Sequence, residues 1–531
     1  MRGRWLLPFL AAGSLLSQDV TFDRILHARE EPQNWLTYSG TVLGQRYSPL
    51  AQITPANVKN LELQWVFQAR SLEKFEATPL VVDGVLYTVQ APNDVVALDA
   101  VTGRIFWTFP YNNAKEAHAC CGNVNRGLAI LGDTLFMGTL DAHLIALDAK
   151  TGRPIWNTKV ANAGENYSIT HAPLVVKDKV ILGAAGGDIG IRGFIAAFDA
   201  ATGKEVWRFH TIPGPGEPGH ETWKDESWKK GGASIWNTGS YDAQTNLTFW
   251  GTGNPQPDWD GRNRPGDNLY SDSVLALDAD TGKLKWFYQF TPHDEVDYDS
   301  TQVAVLADLE WKGQPRKVML WANRNGLMYV LDRVTGQFLF GKPFVEVNWM
   351  SGFDEKGRPM RVPGKVPTPE GALVKPTVLG ATNWYPPSYS PRTGLFYISS
   401  WENTGTIATE GGRPKGTGNT PMAASTLGTN LKTEEEGYGA VRAFDPKTGE
   451  RKWEFKMNDI TWAGVLTTAS DLLFSGGREG YFFALDDRTG ELLWKAALGG
   501  QVNSGPMSYS VNGKQYVAVC AGNALFTFAL K

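Results

Sequence analysis

Short apolar runs alternate with turn signals along almost the whole chain, and one pattern of positions recurs. An apolar run ends at Asp, a Thr-Gly pair follows, and a second run leads to an aromatic residue, giving A-x-D-x-x-T-G-x-x-x-W. Because Gly adopts positive φ without steric cost, each Thr-Gly pair predicts a tight reversal between two antiparallel strands. Seven copies occupy residues 97–107, 146–156, 197–207, 276–286, 330–340, 443–453 and 484–494.

Each copy follows a further hairpin pattern, such as PLVVDGVLYT at residues 79–88 with Asp-Gly at its turn. One unit is therefore a four-stranded sheet of about 45 to 50 residues, a period typical of β-propellers. Between Asp332 and Asp445 the spacing is about two periods, and YSPRTGLFYISSW at residues 389–401 is interpreted as a degenerate copy. We predict an all-β, eight-bladed propeller, with residues 61–68 closing the ring and the repeat tryptophans docked between blades.

Composition supports this fold and excludes some partners. Aromatic residues make up 12%, and the chain has 58 Gly and 30 Pro, which favours strands and turns over helices. The net charge of -4 provides no electrostatic footprint for nucleic acid or an anionic membrane. Two insertions break the repeat, at residues 213–230 and 403–437, and such insertions commonly carry binding loops.

The first 18 residues have the pattern of a secretory signal peptide. Arg2 and Arg4 precede an apolar run at residues 5–16, which is too short to span a membrane, and small residues follow. The alternative is a buried strand or the start of a helix. We expect residues 1–18 to be removed and residues 19–531 to form a single domain in an oxidising compartment, the periplasm.

Several carboxylates and amides in short motifs depart from the repeat and suggest a cation site. They offer only oxygen ligands, which suit a hard cation, and no His/Cys spacing fits zinc. Asp188 alone would be an ordinary turn residue. Asp297 and Asp299 alternate along a strand-like segment, so both can face one side, where their charges repel unless a cation lies between them. The motif residues are Glu76, Asp188, Asn254, Asp297 and Asp299.

The repeats and four motifs together resemble the pyrroloquinoline quinone (PQQ)-dependent alcohol dehydrogenases, a family that includes methanol dehydrogenase large subunits. The motifs are CCGNVNRG (120–127), GTGNP (251–255), PHDEVDYD (292–299) and GATNWYPPSYSP (380–391). The resemblance extends over almost the whole chain. It implies a periplasmic enzyme that oxidises primary alcohols of the methanol and ethanol class by hydride transfer to PQQ and passes electrons to a cytochrome c.

The resemblance also implies which residues hold the cofactor. Adjacent cysteines in the family form a vicinal disulfide against one face of PQQ, and Cys120 and Cys121 match them; two free thiols in a turn are the alternative. Trp236, in GGASIW, matches the tryptophan that stacks on the other face. Arg324 by itself would be interpreted as an exposed turn cation. Further cofactor positions fall on Glu76, Arg126, Thr170, Ala185, Gly186, Gly187, Ser234, Arg324, Asn383 and Trp462.

The family's metal ligands fall on Asp188, Asn254 and Asp297, and Asp297 also matches the proposed general base. Two departures stand out: Asp188 replaces the usual Glu, and Ala185 replaces a usual Ser. Asp299 is an added acid, and D-Y-D resembles the lanthanide-dependent branch of the family. With a PQQ carboxylate the site would bring about four negative charges, which favours a lanthanide ion and leaves Ca²⁺ as the alternative.

Other features limit the electron acceptor and leave the substrate open. The sequence contains no C-x-x-C-H, so we expect no covalent haem and a separate c-type cytochrome as acceptor. Cys520 is expected to be a core cysteine on the last strand. A PQQ enzyme for other alcohols, polyols or sugars and a non-catalytic propeller scaffold are the competing functions. A homodimer is one alternative for an oligomeric state that the sequence does not fix.

Overall fold

The computed structural model describes residues 19–117, 119, 121–410, 426–427 and 437–531, so residues 1–18, Cys120 and most of the second insertion lie outside the described residues. Regular structure in the described ranges is almost entirely β. The helical exceptions there are α1 (Phe22–Leu26) and short 3-10 helices at Ala28–Glu30, Val58–Asn60, Ala163–Glu165, Gly187–Ile189, His220–Thr222 and Ser227–Lys230.

The N-terminal segment runs across the propeller before the first blade begins. Trp35 bridges to Val81 of the first blade, and the buried Arg46 guanidinium donates to the carbonyl oxygens of Gly505 (2.6 Å) and Pro506 (3.0 Å). These contacts tie the segment to blades that are far apart in the chain. Its two strands are β1 (Tyr47–Ser48) and β2 (Leu61–Gln68).

The first four blades follow one another along the chain, each an antiparallel four-stranded sheet. Blade 1 contains β3 (Leu80–Val82), β4 (Val85–Gln90), β5 (Asp94–Asp99) and β6 (Ile105–Phe109). Blade 2 contains β7 (Ala129–Leu131), β8 (Thr134–Gly138), β9 (His143–Asp148) and β10 (Pro154–Lys159). Blade 3 contains β11 (Leu174–Val176), β12 (Lys179–Gly183), β13 (Phe194–Asp199) and β14 (Glu205–His210). Blade 4 contains β15 (Ser240–Asp242), β16 (Leu247–Gly251), β17 (Ser273–Asp278) and β18 (Leu284–Gln289).

Blades 5 and 6 are separated by a long insertion, and a second insertion interrupts blade 6. Blade 5 contains β19 (Val305–Trp311), β20 (Gln314–Ala322), β21 (Leu327–Asp332) and β22 (Phe338–Pro343). The segment between blades 5 and 6 adds β23 (Met350–Phe353), β24 (Pro359–Arg361) and β25 (Ala372–Val374). Blade 6 contains β26 (Ser388–Ser390), β27 (Leu395–Glu402), β30 (Tyr438–Asp445) and β31 (Glu450–Met457), and β28 (Gly405–Ala408) and β29 (Thr426–Leu427) pair with β25.

The ring is completed by two blades that also take strands from the N-terminal segment. β1 adds a parallel fifth strand to blade 7, and β2 is the outermost strand of blade 8, paired antiparallel with its last strand. Blade 7 contains β32 (Leu466–Thr468), β33 (Leu472–Gly476), β34 (Tyr481–Asp486) and β35 (Leu492–Ala497), and blade 8 contains β36 (Met507–Val511), β37 (Lys514–Ala521) and β38 (Ala524–Leu530). The predicted eight blades and closure by residues 61–68 are confirmed.

One step in the blade count was wrong. Residues 389–401 are not a degenerate copy of the repeat; they form the hairpin of β26 and β27, the first two strands of blade 6. The repeat copy of that blade is residues 443–453, so the wide spacing reflects insertions rather than an additional blade. The eighth blade instead contains the C-terminal strands and β2, which carry no copy of the repeat because the chain ends join there.

The repeat tryptophans dock between blades, as predicted. Trp107 Nε1 of blade 1 donates to the Ala149 carbonyl oxygen of blade 2 at 3.1 Å, and its ring covers Gly152. A Cβ on Gly152 would lie 2.4 Å from that ring, and its φ is +70°. The Thr-Gly turn therefore needs glycine both for its left-handed backbone and for the flat surface that receives the indole. The same ring-on-glycine contact occurs at Trp65–Gly103, Trp156–Gly203, Trp207–Gly282, Trp286–Gly336 and Trp453–Gly490.

We predict that Asp487 makes the stability of the fold depend on pH. Its side chain is fully buried and both carboxylate oxygens lack a hydrogen-bond partner. Burial, with a smaller contribution from Asp471, raises the pKa of Asp487 to about 7. The ionisation of Asp487 therefore imposes no penalty on folding below its ordinary pKa. The penalty grows from there up to pH about 7 and stays at its full size above it, with an upper bound of about 4 kcal/mol. The same repeat position in the first four blades holds a buried alanine: Ala100, Ala149, Ala200 and Ala279.

Asp487→Ala should therefore raise the unfolding temperature at pH 8 and leave it close to wild type at pH 4. The backbone carbonyl oxygen of residue 487, which accepts Trp453 Nε1 at 3.0 Å, stays in place in this variant. Thermal unfolding followed by circular dichroism from pH 4 to pH 8 measures the effect. Equal pH dependence in the variant and the wild type would contradict the assignment.

Candidate active site

Many of the predicted site residues lie in the segments that enter the first strand of a blade, whereas Asp188, Asn254 and Arg324 lie between the second and third strands of their blades. The first strands β3, β11, β15, β26 and β32 are fully buried and the fourth strands are largely exposed, so the first strands surround the axis. Residues just before them lie at the same end of the central channel. They are Glu76 (blade 1), Arg126 (blade 2), Thr170 (blade 3), Trp236 (blade 4), Asp297 and Asp299 (blade 5), Asn383 (blade 6) and Trp462 (blade 7).

Arg126 is the centre of a first cluster, which contains four of the predicted cofactor residues. Its Nη2 lies 2.9 Å from Glu76 Oε2, although the angle is not that of a hydrogen bond, and its Nη1 donates to Thr170 Oγ1 at 3.3 Å. The guanidinium carbon lies 5.2 Å from the ring centroid of Trp236 and 4.6 Å from that of Trp384. A buried arginine between two indoles presents a planar cation that suits a carboxylate ligand.

Two predicted cofactor residues have partners of their own. Asn383 is buried, donates from Nδ2 to the Leu379 carbonyl oxygen (2.8 Å) and accepts the backbone N–H of Trp384 at 2.8 Å. Trp462 lies edge-on to Trp401, with ring centroids 5.5 Å apart, and Lys74 Nζ lies over its ring at 5.0 Å. Both residues therefore have fixed side chains at the channel end.

Arg324 is the centre of a second cluster, formed with the two acids of PHDEVDYD. Its Nη1 donates to Asp299 Oδ2 at 2.5 Å and its Nη2 to Asp297 Oδ2 at 3.2 Å. Arg324 is 5% exposed, so its interpretation as an exposed turn cation does not hold. The Nε group of Arg324 donates to the Val378 carbonyl oxygen at 2.8 Å. The guanidinium is thus fully oriented toward the two carboxylates.

The two acids face one side for a reason other than strand alternation, because residues 292–300 contain no strand. Asp294 accepts the backbone N–H groups of Val296 (3.0 Å) and Tyr298 (2.7 Å), which folds the segment into a turn. Within it Asp297 has a φ of +61°, a left-handed conformation that few non-glycine residues adopt. The turn brings both carboxylates to Arg324.

Asn254 connects this cluster with two further acids. Its backbone N–H donates to Asp299 Oδ1 at 2.8 Å, and its Nδ2 donates to Asp258 Oδ1 at 3.0 Å. Hydrogen bonding by the Asn254 side chain also lowers the pKa of Asp188. Asp258 was not identified from the sequence; its only signal was its position four residues after Asn254.

The residues predicted to surround the cofactor between these clusters are closely packed. A Cβ on Gly187 would lie 2.7 Å from Ser234 Oγ, and one on Gly253 would lie 2.5 Å from Asp299 Oδ1. Gly186 has a φ of +120°, and Ala185 pairs with Ser168 through two backbone hydrogen bonds. Glycine at these positions lets the backbone of blade 3 approach blade 4.

The second cluster, together with Asp188 and Asp258, has more negative than positive charge, because Arg324 is the cation among four carboxylates. Burial and Asp299 raise the pKa of Asp188 to about 6, although Arg324 and Asn254 oppose the shift. Burial also raises the pKa values of Asp258 and Asp297 well above the usual range, and neighbouring acids add to both shifts. A cation among these oxygens would reverse the shifts, because it stabilises the ionised forms.

Two buried oxygen atoms in the cluster have no partner, Asn254 Oδ1 and Asp297 Oδ1. Such atoms are costly unless a ligand satisfies them, so the residues fit a cation with oxygen ligands. Among the residues that the structure describes, no group of three or more His, Cys, Asp and Glu side chains forms a metal site by itself. Two features account for this: Asn254 is an amide and is not one of those residue types, and Arg324 already pairs with two of the acids, Asp297 and Asp299.

Blade 8 contributes a position that sequence reasoning missed. Asn503 precedes β36, as the other site residues precede their first strands, and it is 3% exposed. Its Oδ1 has no partner, while its Nδ2 donates to the Gln501 carbonyl oxygen at 3.2 Å. Only its position relative to the strand could have indicated it. Cys121 is exposed at the same end of blade 2. Cys520 is a buried core residue, as expected, but it lies in β37 rather than in the last strand, β38, because the chain makes one more hairpin strand after it.

Comparison with known proteins gives the family. The model for "PQQ: Glucose/ethanol/alcohol dehydrogenase, beta-propeller domain" matches residues 35–350 and 456–517. The chain belongs to this family. As a PQQ-dependent alcohol dehydrogenase the protein is an oxidoreductase, and the recognition made from sequence motifs is confirmed.

Curated relatives match this quinoprotein over nearly its full length. Quinoprotein alcohol dehydrogenase PedH of Pseudomonas putida is 39% identical, covering 95% of this chain and 88% of the relative. The lanthanide-dependent methanol dehydrogenase of Methylacidiphilum fumariolicum is 38% identical, covering 94% of this chain and 86% of the relative. Quinohemoprotein alcohol dehydrogenase ADH-IIG of Pseudomonas putida is 39% identical and covers 98% of this chain, which spans 77% of that relative.

Solved structures agree with the fold of this quinoprotein. A quinohemoprotein alcohol dehydrogenase, ADHIIG from Pseudomonas putida, superimposes with a TM-score of 0.89 at 36% identity, covering 96% of this chain and 82% of that chain. A europium-containing methanol dehydrogenase superimposes with a TM-score of 0.87 at 33% identity, covering 96% of this chain and 100% of that chain. In the described ranges, no helix has the length and apolar character needed to cross a bilayer.

Proposed function

We propose that the protein is a periplasmic quinoprotein that oxidises primary alcohols of the methanol and ethanol class and uses a lanthanide ion. The observation that carries the metal assignment is the cluster of Asp297, Asp299, Asp188 and Asn254, with two buried oxygens left without partners. A trivalent ion suits so many acids better than Ca²⁺ does. The europium-containing relative, 33% identical, supports this assignment.

The residues around the channel have separate proposed roles in binding the cofactor and in removing the alcohol proton. Bound PQQ would supply the acceptor for the hydride that leaves the alcohol carbon. Arg126, in ion contact with Glu76 and lying over Trp236, is placed to hold a carboxylate of the cofactor. Asp297 is the proposed base that removes the alcohol proton, and Arg324 fixes its Oδ2 at 3.2 Å. Oδ1 of Asp297 remains without a protein partner and can accept that proton.

Three parts of this proposal come from the sequence and the family resemblance. Residues 1–18 are proposed as the secretory leader, and Cys120 and Cys121 as the vicinal disulfide beside the cofactor. A c-type cytochrome is proposed as electron acceptor, since the sequence contains no haem-attachment motif. Ca²⁺ is the alternative metal, and polyols or sugars are alternative substrates.

Reconstitution of the purified protein tests this function. The protein is loaded with PQQ together with either La³⁺ or Ca²⁺, and dye-linked activity is measured with methanol, ethanol, a polyol and a sugar. We expect turnover of the primary alcohols with La³⁺, and at least about tenfold less with Ca²⁺, because the buried acids need the higher charge.

Each contrary result has one meaning. Turnover with Ca²⁺ alone would disprove the lanthanide assignment. Turnover of only the polyol or the sugar would disprove the substrate class. No turnover of any substrate with either metal would favour the non-catalytic scaffold.

A further inference from the structure

Asp258 lies inside the acidic cluster although no sequence motif pointed to it. Its Oδ1 accepts Asn254 Nδ2 at 3.0 Å, and its electrostatic neighbours include Asp188 and Asp299. The backbone next to Asp258 is held by the buried Arg264, which donates to the carbonyl oxygen of the preceding residue, Pro257, from Nε (3.0 Å) and Nη2 (2.8 Å). Asp258 is therefore a fixed part of the site.

The hydrogen bond from Asn254 to Asp258 determines which way the Asn254 amide points. Because Nδ2 is turned toward Asp258, Oδ1 lies on the other side of the amide group, near the backbone of Gly187. A Cβ on Gly187 would lie 3.7 Å from Asn254 Oδ1. This oxygen is fully buried and without a partner, the condition expected of a ligand atom that awaits a cation.

The negative charge of Asp258 also affects which cation the site would bind. Asp258 is a fourth carboxylate beside Asp188, Asp297 and Asp299, and Arg324 is the cation that pairs with two of them. With all four carboxylates ionised and one PQQ carboxylate beside them, the negative charge exceeds the positive charge of Arg324 by about four. A trivalent ion leaves about one buried negative charge, whereas a divalent ion leaves about two, which costs more.

We propose that Asp258 is a positioning residue of the cation site: it turns Asn254 so that Oδ1 faces the ion, and its charge biases the site toward a trivalent ion. This inference rests on the proposed function, in which the cluster binds a cation beside PQQ. It adds a residue outside the ligand set that the family resemblance supplies. Asp188 stands where the family usually has Glu and is one methylene shorter. It therefore reaches less far toward a cation, and Asp258 adds negative charge to the same site.

Cation binding to the PQQ-loaded protein tests the proposal with La³⁺ and Ca²⁺ as probes. Dissociation constants and the cation-induced rise in unfolding temperature are measured for the wild type, Asp258→Ala, Asp258→Asn and Asp260→Asn. Asp260 is the matched control, because it lies in the same loop but pairs with Arg262 at 2.7 Å, away from Asn254. We expect Asp260→Asn to bind both cations like the wild type.

Asp258→Ala should weaken La³⁺ binding at least about tenfold, since Asn254 loses its anchor and the site loses a charge. Without a cation the same variant should unfold at an equal or higher temperature than the wild type, because one repelling carboxylate has gone. A purely structural role would lower that temperature instead. Asp258→Asn, which keeps an acceptor oxygen, should chiefly lower the La³⁺-over-Ca²⁺ preference.

Wild-type affinity for both cations in Asp258→Ala would overturn the proposal. If that variant does not fold, an unchanged La³⁺-over-Ca²⁺ preference in Asp258→Asn would overturn it. The wild type separates this inference from the function itself: alcohol turnover with La³⁺ in the wild type upholds the function whatever the Asp258 variants do. A wild type that binds neither cation would contradict both.

Discussion

Replacing Asp297 with alanine is expected to lower kcat for alcohol oxidation by at least about a thousandfold, because the proposed base and a proposed metal ligand are lost together. Asp297 is the acid whose Oδ1 is buried without a partner while its Oδ2 is held by Arg324 at 3.2 Å. Its left-handed backbone, with φ +61°, directs the side chain into the site, and such conformations concentrate at functional positions.

The measurement is steady-state turnover of protein loaded with PQQ and La³⁺, with the bound PQQ and metal quantified in each sample. Asp297→Asn should behave like the alanine variant, since an amide has the shape of the carboxylate but cannot accept the alcohol proton. Glu295→Gln is the matched control: Glu295 lies two residues earlier and its carboxylate faces His293 (3.8 Å) and Arg361 (3.6 Å). It should keep near-wild-type turnover.

Activity within about tenfold of the wild type in a fully loaded Asp297→Asn protein would remove Asp297 as the base, given the usual size of that contribution. Loss of metal without loss of PQQ in the same variant would assign it a ligand role.

The second large effect is expected at Asp299, whose replacement by alanine should abolish turnover supported by La³⁺. Its Oδ2 holds Arg324 Nη1 at 2.5 Å and its Oδ1 accepts the backbone N–H of Asn254 at 2.8 Å. Removing the side chain takes a negative charge from the site and leaves two buried donors unpaired. An unpaired buried donor costs about 1–3 kcal/mol, and more when it is charged.

Asp299→Asn keeps the size of the side chain while it removes the charge. Its single amide oxygen can accept from only one of the two donors, the Asn254 N–H or Arg324 Nη1, so one acceptor is lost together with the charge. We expect at least about a hundredfold weaker La³⁺ binding and a smaller change for Ca²⁺, measured by competitive titration of the PQQ-loaded protein. Asp308→Ala, an exposed acid nine residues later that pairs with Arg333 at 2.7 Å, is the control. Unchanged La³⁺-supported turnover in Asp299→Ala would exclude Asp299 from the site.

The fold was largely readable from the sequence because a propeller repeats one local unit. Each strand-turn-strand pattern is decided by neighbours in the chain, and glycines such as Gly152 mark both the turn and the surface where a tryptophan docks. The interpretation failed at residues 389–401, where the turn was recognised but not which two strands of the blade it joins. That choice depends on pairing with β30, after an insertion of more than thirty residues, and no local pattern contains it.

Some residues of the candidate site could likewise be found from the sequence, and others only from the structure. Short motifs beside the strands drew attention to Asn254, Asp297 and Asp299, and the family resemblance pointed to Arg126 and Trp236. The sequence by itself therefore determined the fold class, the family and the residues at the end of the central channel.

Only the tertiary structure decided how those residues meet. It turned Arg324 from an exposed cation into the buried partner of two acids, and it brought Asp258 to Asn254 through a loop fixed by Arg264. It also showed that Asp297 and Asp299 face one side through a turn capped by Asp294 rather than along a strand. The reason is physical: burial, charge neighbours and unpaired polar atoms arise between blades far apart in the chain, and local strand and turn preferences carry no record of them.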